Sequence, residues 1–356
     1  MNIQRSTLYY ILGIIFYLYI NELYFHFYIK DIVNLNPDGV SSFANLHDHL
    51  IYEMFIEYIL NGESVLVFGN NFGIASIFYS LNEIFGINDY IFLSHYVNIF
   101  VYLGISLYVF KVLRYFKYHL VLSLFFSFNP ANFYYLSLIN KDIFTIFFVL
   151  MFIYYLVKKQ YFIYFTLAVL SIIIRLQLPL FALTLYFLLS FQNISLKRKI
   201  FYLYIISAAA AALLENITSM ITMDRMDTSL GLGITKIIRE LNSQYYIGSF
   251  LLNPVKIIQY FYDYIQAFRY LLEIHRLKDI FNLLFLPISL FSLLTYFFLV
   301  KKPMEYRLNV FIFVLISFFT VWLINPTVNY RYIGIFIPYI IIPGIYATKY
   351  LFRNKR

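Results

Sequence analysis

Three consecutive residues, His47, Asp48 and His49, carry side chains that transfer protons or bind metal ions in enzymes. Consecutive residues of a helix cannot all face one ion, although alternate residues of an extended segment can. The sequence offers no evident fourth ligand near them. We therefore expect no metal here, and nothing else in the sequence indicates a cofactor.

The segment that follows Asp48 predicts the element that positions it. Residues 48–61 have the apolar spacing of a helix, with one face formed by Ile51, Phe55, Tyr58 and Ile59. On this prediction Asp48 lies near the helix N-terminus, where backbone amides stabilise a negative charge. Position alone leaves two interpretations open, a chemical role for Asp48 or a simple helix cap.

Two arginines lie beside apolar runs, Arg175 in SIIIRLQLP and Arg331 in NYRYIGIF. A charge this close to hydrocarbon is costly unless the side chain reaches the lipid headgroups or finds a partner. Both interpretations stay open for each arginine, a contact with headgroups or a place in a binding site.

The composition predicts that lipid, rather than water, surrounds much of the chain. Of its 356 residues 62% are hydrophobic, 22% are aromatic and 13% are charged, whereas soluble proteins are nearer half apolar and a quarter charged. The absence of cysteine excludes disulfides, thiol catalysis and cysteine-ligated metals. The net charge of +9 comes from short basic clusters between apolar runs, which indicates membrane orientation and not a nucleic-acid partner.

Ten apolar runs approach the roughly 17–25 residues needed to cross a bilayer. They cover about residues 7–27, 90–110, 118–137, 143–157, 160–174, 177–192, 200–217, 280–300, 308–325 and 332–350. The predicted fold is therefore all-α, a single integral membrane domain over residues 1–356. Long segments at about 28–89 and 216–279 show helical periodicity, so we expect folded interfacial helices there.

The charges orient these spans in the membrane. With the N-terminus in the cytoplasm, every cytoplasmic connection is short and basic, as the positive-inside rule requires. Of the eighteen acidic residues, only Glu305 falls on that side. Both termini are thus predicted to be cytoplasmic and both long segments to lie outside, where they could cover a site. The cytoplasmic basic residues are Arg5, Lys111, Arg114, Lys117, Lys158, Lys159, Lys197, Arg198, Lys199, Lys301, Lys302, Arg307, Lys349, Arg353, Lys355 and Arg356.

Four short motifs follow one another along the chain, each close to a predicted span. Asp48 is followed by Tyr52, by a predicted helix and then by Gly62, just after the first span. The segment 73–116 then combines an amphipathic stretch with the second span. The acidic turn Lys141–Asp142 follows in 128–156, after FNPANFYYLSLIN, and a late span opens with NYRYIGIFIPYIIIPG.

In these motifs and in their order the chain resembles the GT-C glycosyltransferases, polyprenyl-phosphate-sugar transferases that include protein mannosyltransferase-like and aminoarabinose-transferase-like enzymes. The resemblance covers roughly residues 35–160 and 325–350. It implies an enzyme of the bacterial inner membrane that moves a sugar from a polyprenyl-phosphate carrier to a glycan or lipid acceptor at the outer face. Membrane lipid, the lipid-linked sugar donor and the acceptor are then its partners.

The resemblance also implies roles for individual residues. Asp48 would be the general base that deprotonates the acceptor hydroxyl, and Asp142 a second acid that orients the acceptor. Asp38 is a rival to Asp48, ten residues earlier. Cations would hold the departing phosphate, a task that suits the planar guanidinium of arginine. The expected substrate-binding residues are Asp38, Tyr52, Lys141, Arg175, Arg331 and Tyr332.

Two other functions fit the same pattern of spans. An O-antigen or capsular repeat-unit polymerase would use arginines of the second long segment, which holds Arg225, Arg239, Arg269 and Arg276. A flippase or transporter of lipid-linked saccharides would carry ionisable residues at mid-bilayer. The acidic residues of the predicted spans cluster instead at the outer ends, which favours an enzyme.

Overall fold

The protein is described by a computed structural model. It covers residues 3–62, 71–123, 126, 134, 137–191, 193–221, 234–266, 288–289, 291–292, 306–324 and 330–353. Helix accounts for 84% of the structure, and the described residues contain no strand. The predicted all-α fold is confirmed for this part of the chain.

The chain divides into two compact units, one formed by residues 1–179 and 269–285 and the other by residues 180–268 and 286–356. The helices of the first unit are α1 (Ile3–Tyr24), α2 (Ile32–Leu35), α3 (Leu46–Leu60), α4 (Phe72–Phe85), α5 (Tyr90–Tyr115), α6 (Lys141–Val157) and α7 (Tyr161–Leu170). Helix α8 (Gln177–Ser190) crosses the boundary. The second unit continues with α9 (Leu196–Ile221), α10 (Ile234–Tyr245), α11 (Gly248–Gln266), α12 (Tyr306–Trp322) and α13 (Tyr330–Arg353).

Three short turns of other helical types complete the first unit. A π-helical turn, Phe25–Ile29, extends α1, and 3₁₀ turns occur at Leu120–Ser123 and Ser171–Ile173. In the π-helical turn the N–H of Lys30 donates to the carbonyl of Phe25, five residues earlier. This wide turn directs Phe25 and Ile29 into a small core with Ile32, and that core also includes Ala44, Leu46 and Leu138.

Helix α5 packs closely against α6, and side chains of α1 also contact α5. The ring of Tyr17 on α1 stacks on that of Tyr102 on α5, with ring centroids 4.3 Å apart. Gly104 of α5 faces Phe147 of α6, and a Cβ at this glycine would lie 2.7 Å from the phenyl ring. The missing side chain therefore permits the close approach of α5 and α6.

Two predicted spans agree with helices that are long and apolar enough to cross a membrane. These are Ser6–Leu35, which runs from α1 through α2, and Tyr90–Tyr115, which is α5. The predicted spans 143–157, 160–174, 177–192, 200–217, 308–325 and 332–350 are helical over most of their described residues, and the exceptions lie at span ends. Span 118–137 differs, because its described beginning is a loop followed by the 3₁₀ turn, and most of span 280–300 lies outside the described residues.

In the second unit, two buried lysines bond to carbonyls at the C-terminal ends of other helices. Lys199 of α9 donates to the carbonyl of Leu188 in the last turn of α8, at 2.6 Å. Lys256 of α11 donates to the carbonyl of Leu323, just after α12, also at 2.6 Å. A cation at a helix C-terminus satisfies an orphan carbonyl and offsets the negative end of the helix dipole.

Candidate functional site

The first unit contains a buried ion pair between two residues predicted to belong to the site. Nη2 of Arg175 donates to Oδ1 of Asp142 at 2.6 Å, and each residue is 1% exposed. A charge-assisted bond of this length is strong, and removing one member would leave the other charged and buried. The sequence predicted both residues but not their pairing.

Local backbone structure positions each of the two residues, Asp142 and Arg175. Asn140 caps α6, because its Oδ1 accepts the N–H of Asp142 at 2.8 Å, and Asp142 then lies in the positive first turn of the helix. Arg175 follows the 3₁₀ turn Ser171–Ile173, with its N–H bonded to the carbonyl of Ser171. The pair thus joins the beginning of α6 to the turn that ends α7.

A glycine brings α4 against the same turn. A Cβ at Gly73, in the first turn of α4, would lie 1.6 Å from the carbonyl oxygen of Ile173. No side chain fits in that space without moving backbone, so this position requires glycine. The beginning of α4 is therefore fixed close to the segment that carries Arg175.

A second cation, Lys141, directly precedes Asp142 in the first turn of α6. Nζ of Lys141 donates to Oδ1 of Asn71, the residue before α4, at 2.8 Å. Lys141 is half-buried, whereas Asp142 next to it is buried. The beginnings of α4 and α6 are thus linked through side chains, and this region carries two cations, Lys141 bonded to Asn71 and Arg175 bonded to Asp142.

The turn before α6, residues 137–140, is held by three side chains from other helices. Nδ1 of His49 accepts the N–H of Ile139 at 3.1 Å. On α5, Nδ2 of Asn98 donates to the carbonyl of Leu138 at 2.9 Å, and the hydroxyl of Ser94 lies 3.5 Å from the carbonyl oxygen of Ser137. Two external hydrogen bonds and one longer contact, in consecutive residues, hold the turn before any ligand binds.

Helix α3 carries the predicted base. It begins at Leu46, so Asp48 lies within its first turn, where it is half-buried; Tyr52 is buried. The predicted helix is present, but its predicted apolar face is not the most buried one, because Phe55 is buried whereas Ile51, Tyr58 and Ile59 are partly buried. The buried residues are Leu46, His49, Tyr52, Phe55 and Ile56.

A polar side chain explains this different face. His49 is fully buried because its ring bonds to the turn before α6, and its Nε2 lies 3.1 Å from Oε1 of Glu53. A prediction from apolar spacing considers only apolar residues as core residues and therefore overlooks His49. The sequence therefore missed both the orientation of α3 and the contact between α3 and the turn.

The remaining predicted site residues are placed elsewhere. Asp38 is exposed in the turn that precedes α3, where Gly39 has a φ of 75°. Arg331 and Tyr332 belong to α13 in the second unit, and the side chain of Arg331 lies outside the described residues. Tyr332 contacts Trp322 edge to face, with ring centroids 6.1 Å apart.

A further polar cluster joins α1 to α5. Oε2 of Glu22 lies 2.9 Å from Nε2 of the buried His95, and Oε1 accepts from the hydroxyl of Tyr96 at 3.1 Å. Nε2 of His26 lies 3.3 Å from the same carboxylate. Phe25, in the π-helical turn, stacks on His95 with centroids 3.8 Å apart. Seventy-three residues separate His95 from Glu22, so the sequence gives no signal of this contact.

Metal ligation requires three or four suitable side chains around one point. Within the described residues, no group of three or more His, Cys, Asp or Glu side chains could hold a metal ion. At His49 one ring nitrogen already accepts a backbone N–H. The three consecutive residues 47–49 therefore do not form a metal site through His49 Nδ1.

Comparisons with known proteins add no family to these observations. No family model, no curated protein and no solved structure matches the chain.

Proposed function

We propose that the chain is a polytopic protein of the bacterial inner membrane with about ten spans and both termini in the cytoplasm. Two helices, Ser6–Leu35 and Tyr90–Tyr115, are long and apolar enough to cross a membrane, which supports this proposal. The first of them has few buried residues. An apolar helix that exposes its side chains needs a solvent other than water. The exposed residues of α1 include Leu8, Tyr9, Ile11, Leu12, Ile15, Phe16 and Tyr19.

Within that membrane protein we propose a glycosyltransferase site around the Asp142–Arg175 pair. The buried pair carries the proposal, because charges in apolar surroundings are costly and are concentrated where substrates or ions are handled. Two cations, Lys141 and Arg175, are fixed near the beginning of α6. Cations in that arrangement suit the phosphate of a lipid-linked sugar donor.

The proposed reaction is a single displacement at the anomeric carbon of the sugar. The acceptor hydroxyl oxygen forms a new bond to that carbon, and its proton passes to the carboxylate of Asp48. The bond from the carbon to the phosphate oxygen breaks, and the electron pair leaves with the polyprenyl phosphate. Lys141 and Arg175 stabilise the charge that develops on the departing phosphate.

Asp142 and His49 act through other residues in this proposal. Asp142 holds the guanidinium of Arg175 in one orientation, so that the cation does not reorganise during transfer. His49 fixes α3, with Asp48 on it, against the turn that leads into α6. Both are positioning residues.

The test uses the full chain in lipid nanodiscs with synthetic polyprenyl phosphate and polyprenyl-phosphate-linked hexoses. Binding is measured by native mass spectrometry, and transfer by release of polyprenyl phosphate in the presence of membrane glycan and lipid extracts. We expect the wild type to bind both lipids and Asp48→Asn to bind them without releasing polyprenyl phosphate. Failure of the wild type to bind either lipid would reject the proposal.

The same assay separates the transferase from a repeat-unit polymerase. A polymerase depends on arginines of the second long segment, of which Arg239 is described, half-buried on α10. Loss of activity in Arg239→Gln with full activity in Asp48→Asn would favour the polymerase.

A further inference from the structure

The side-chain amide of Asn140 has a hydrogen-bonded oxygen, Oδ1, and a nitrogen, Nδ2, that forms no hydrogen bond within the part of the chain that the structure describes. Its Oδ1 accepts the N–H of Asp142, so the amide group cannot be turned round without placing two donors face to face. The Nδ2 donor must therefore point the other way. It is buried and forms no hydrogen bond with the described residues.

A buried donor without a partner is costly, and native proteins seldom keep one without a reason. Asn140 is 1% exposed, so bulk water does not satisfy the amide. Serine or aspartate would cap α6 as well as asparagine does, and neither of them has a side-chain N–H donor. The cap alone therefore does not explain why asparagine occupies this position.

The surroundings of Asn140 indicate what could accept from it. The residue ends the turn that His49, Asn98 and Ser94 hold in place, so its amide is fixed in advance. Lys141 follows it directly, and Asp142, the next residue of α6, is paired with Arg175 from the turn that ends α7. Two of these three charged residues are cations. An oxygen that carries negative charge is the acceptor that these neighbours favour.

We propose that Nδ2 of Asn140 donates a hydrogen bond to a phosphate oxygen of the bound polyprenyl-phosphate carrier, next to Lys141. This inference rests on the proposed glycosyltransferase function and adds a ligand-binding residue to its site. Asn140 belongs to the binding of the phosphate, both in the donor substrate and in the polyprenyl phosphate that is left after transfer. A neutral lipid alcohol of the same length lacks the acceptor.

Two substitutions separate the donor from the cap. Asn140→Ser keeps an oxygen that can cap α6 and removes the Nδ2 donor without adding charge. Asn140→Asp also keeps the cap and places a carboxylate oxygen where the donor was, so that it repels a phosphate. Because both variants retain the cap, we expect both to fold, and cooperative thermal unfolding of each purified variant checks this.

The measurement is the dissociation constant for synthetic polyprenyl phosphate in nanodiscs, with the corresponding polyprenol as the phosphate-free control. A hydrogen bond to a charged group corresponds to about a tenfold loss of affinity or more, so we expect about tenfold weaker binding for Asn140→Ser and about a hundredfold for Asn140→Asp. Binding of polyprenol should not change in either variant.

The outcomes distinguish the two proposals. Wild-type affinity for polyprenyl phosphate in both variants would overturn the role of Asn140 and leave the transferase proposal intact. Equal weakening for polyprenyl phosphate and polyprenol would overturn the assignment to phosphate. A wild-type protein that binds neither polyprenyl phosphate nor its sugar-linked form would overturn the proposed function, and this inference with it.

Discussion

His49 and Ile139 are joined by a hydrogen bond in which the imidazole Nδ1 accepts the backbone N–H at 3.1 Å. The two residues are ninety positions apart, and the bond attaches α3 to the turn that precedes α6. Asp48 is next to one partner and Asp142 is three residues from the other. This bond therefore couples the helix of the proposed base to the turn of the proposed phosphate site.

Replacement of His49 should reveal this coupling. In His49→Asn the amide oxygen can occupy the position of Nδ1, whereas in His49→Gln it reaches the position of Nε2. We expect His49→Gln to be the less stable variant by about 1–3 kcal/mol, because it leaves a buried N–H unpaired. Thermal unfolding and hydrogen exchange of the Ile139 amide measure the difference, and equal protection in both variants would contradict it.

The Asp142–Arg175 pair should respond differently to single and double substitution. Asp142→Asn leaves a buried guanidinium without its carboxylate, which costs about 3–5 kcal/mol of folding free energy. Combining Asp142→Leu with Arg175→Met removes both charges, so we expect most of the stability to return, measured by thermal unfolding in detergent. If the pair serves only stability, the double variant will also bind polyprenyl phosphate normally; we expect it to lose that binding.

Gly73 and Gly334 form a matched pair of helical glycines. A methyl group at Gly73 would overlap the carbonyl oxygen of Ile173, whereas nothing lies within 4 Å of a Cβ at Gly334. Gly73→Ala should therefore move α4 and lower the melting temperature, by an amount that corresponds to about 1–3 kcal/mol or more. Gly334→Ala should be neutral or slightly stabilising, because alanine favours helix. Equal melting temperatures for the two variants would contradict the close packing at Gly73.

The proposed orientation can be tested by labelling, since the chain contains no cysteine. Asn61→Cys lies in the first long segment, and Lys158→Cys lies in the turn between α6 and α7; both positions are exposed. A membrane-impermeant maleimide should label Asn61→Cys in intact spheroplasts and Lys158→Cys only after permeabilisation. The reverse pattern would invert the topology and place the proposed site in the cytoplasm.

The sequence predicted the helical class, but not the bonds that connect residues such as Asp142 and Arg175; their roles stay a prediction. Apolar spacing was sufficient to locate α1, α5, α6 and α7, because these helices are continuous apolar runs. The bond between His49 and Ile139 uses a backbone N–H, which is the same in every residue except proline and leaves no mark in a sequence.

The close approach at Gly73 was also invisible, since a glycine in a helix looks alike whether its surroundings are crowded or open. The most buried face of α3 was missed for a related reason, because apolar spacing takes no account of a buried histidine such as His49. Contacts between distant segments thus determine the details of the site, and local periodicity does not encode them.

At the π-helical turn Phe25–Ile29, the number of residues affects the packing of the core more than the identity of any one side chain. One residue advances an α-helix by about 100°, so a wide turn rotates everything that follows it relative to what came before. Deleting one residue here would convert the turn into an ordinary helical turn and swing Ile29 and Ile32 out of the core that they share with Leu138. A one-residue deletion in 25–29 is therefore expected to be more damaging than most single substitutions there, and the damage would extend to the turn that leads into α6.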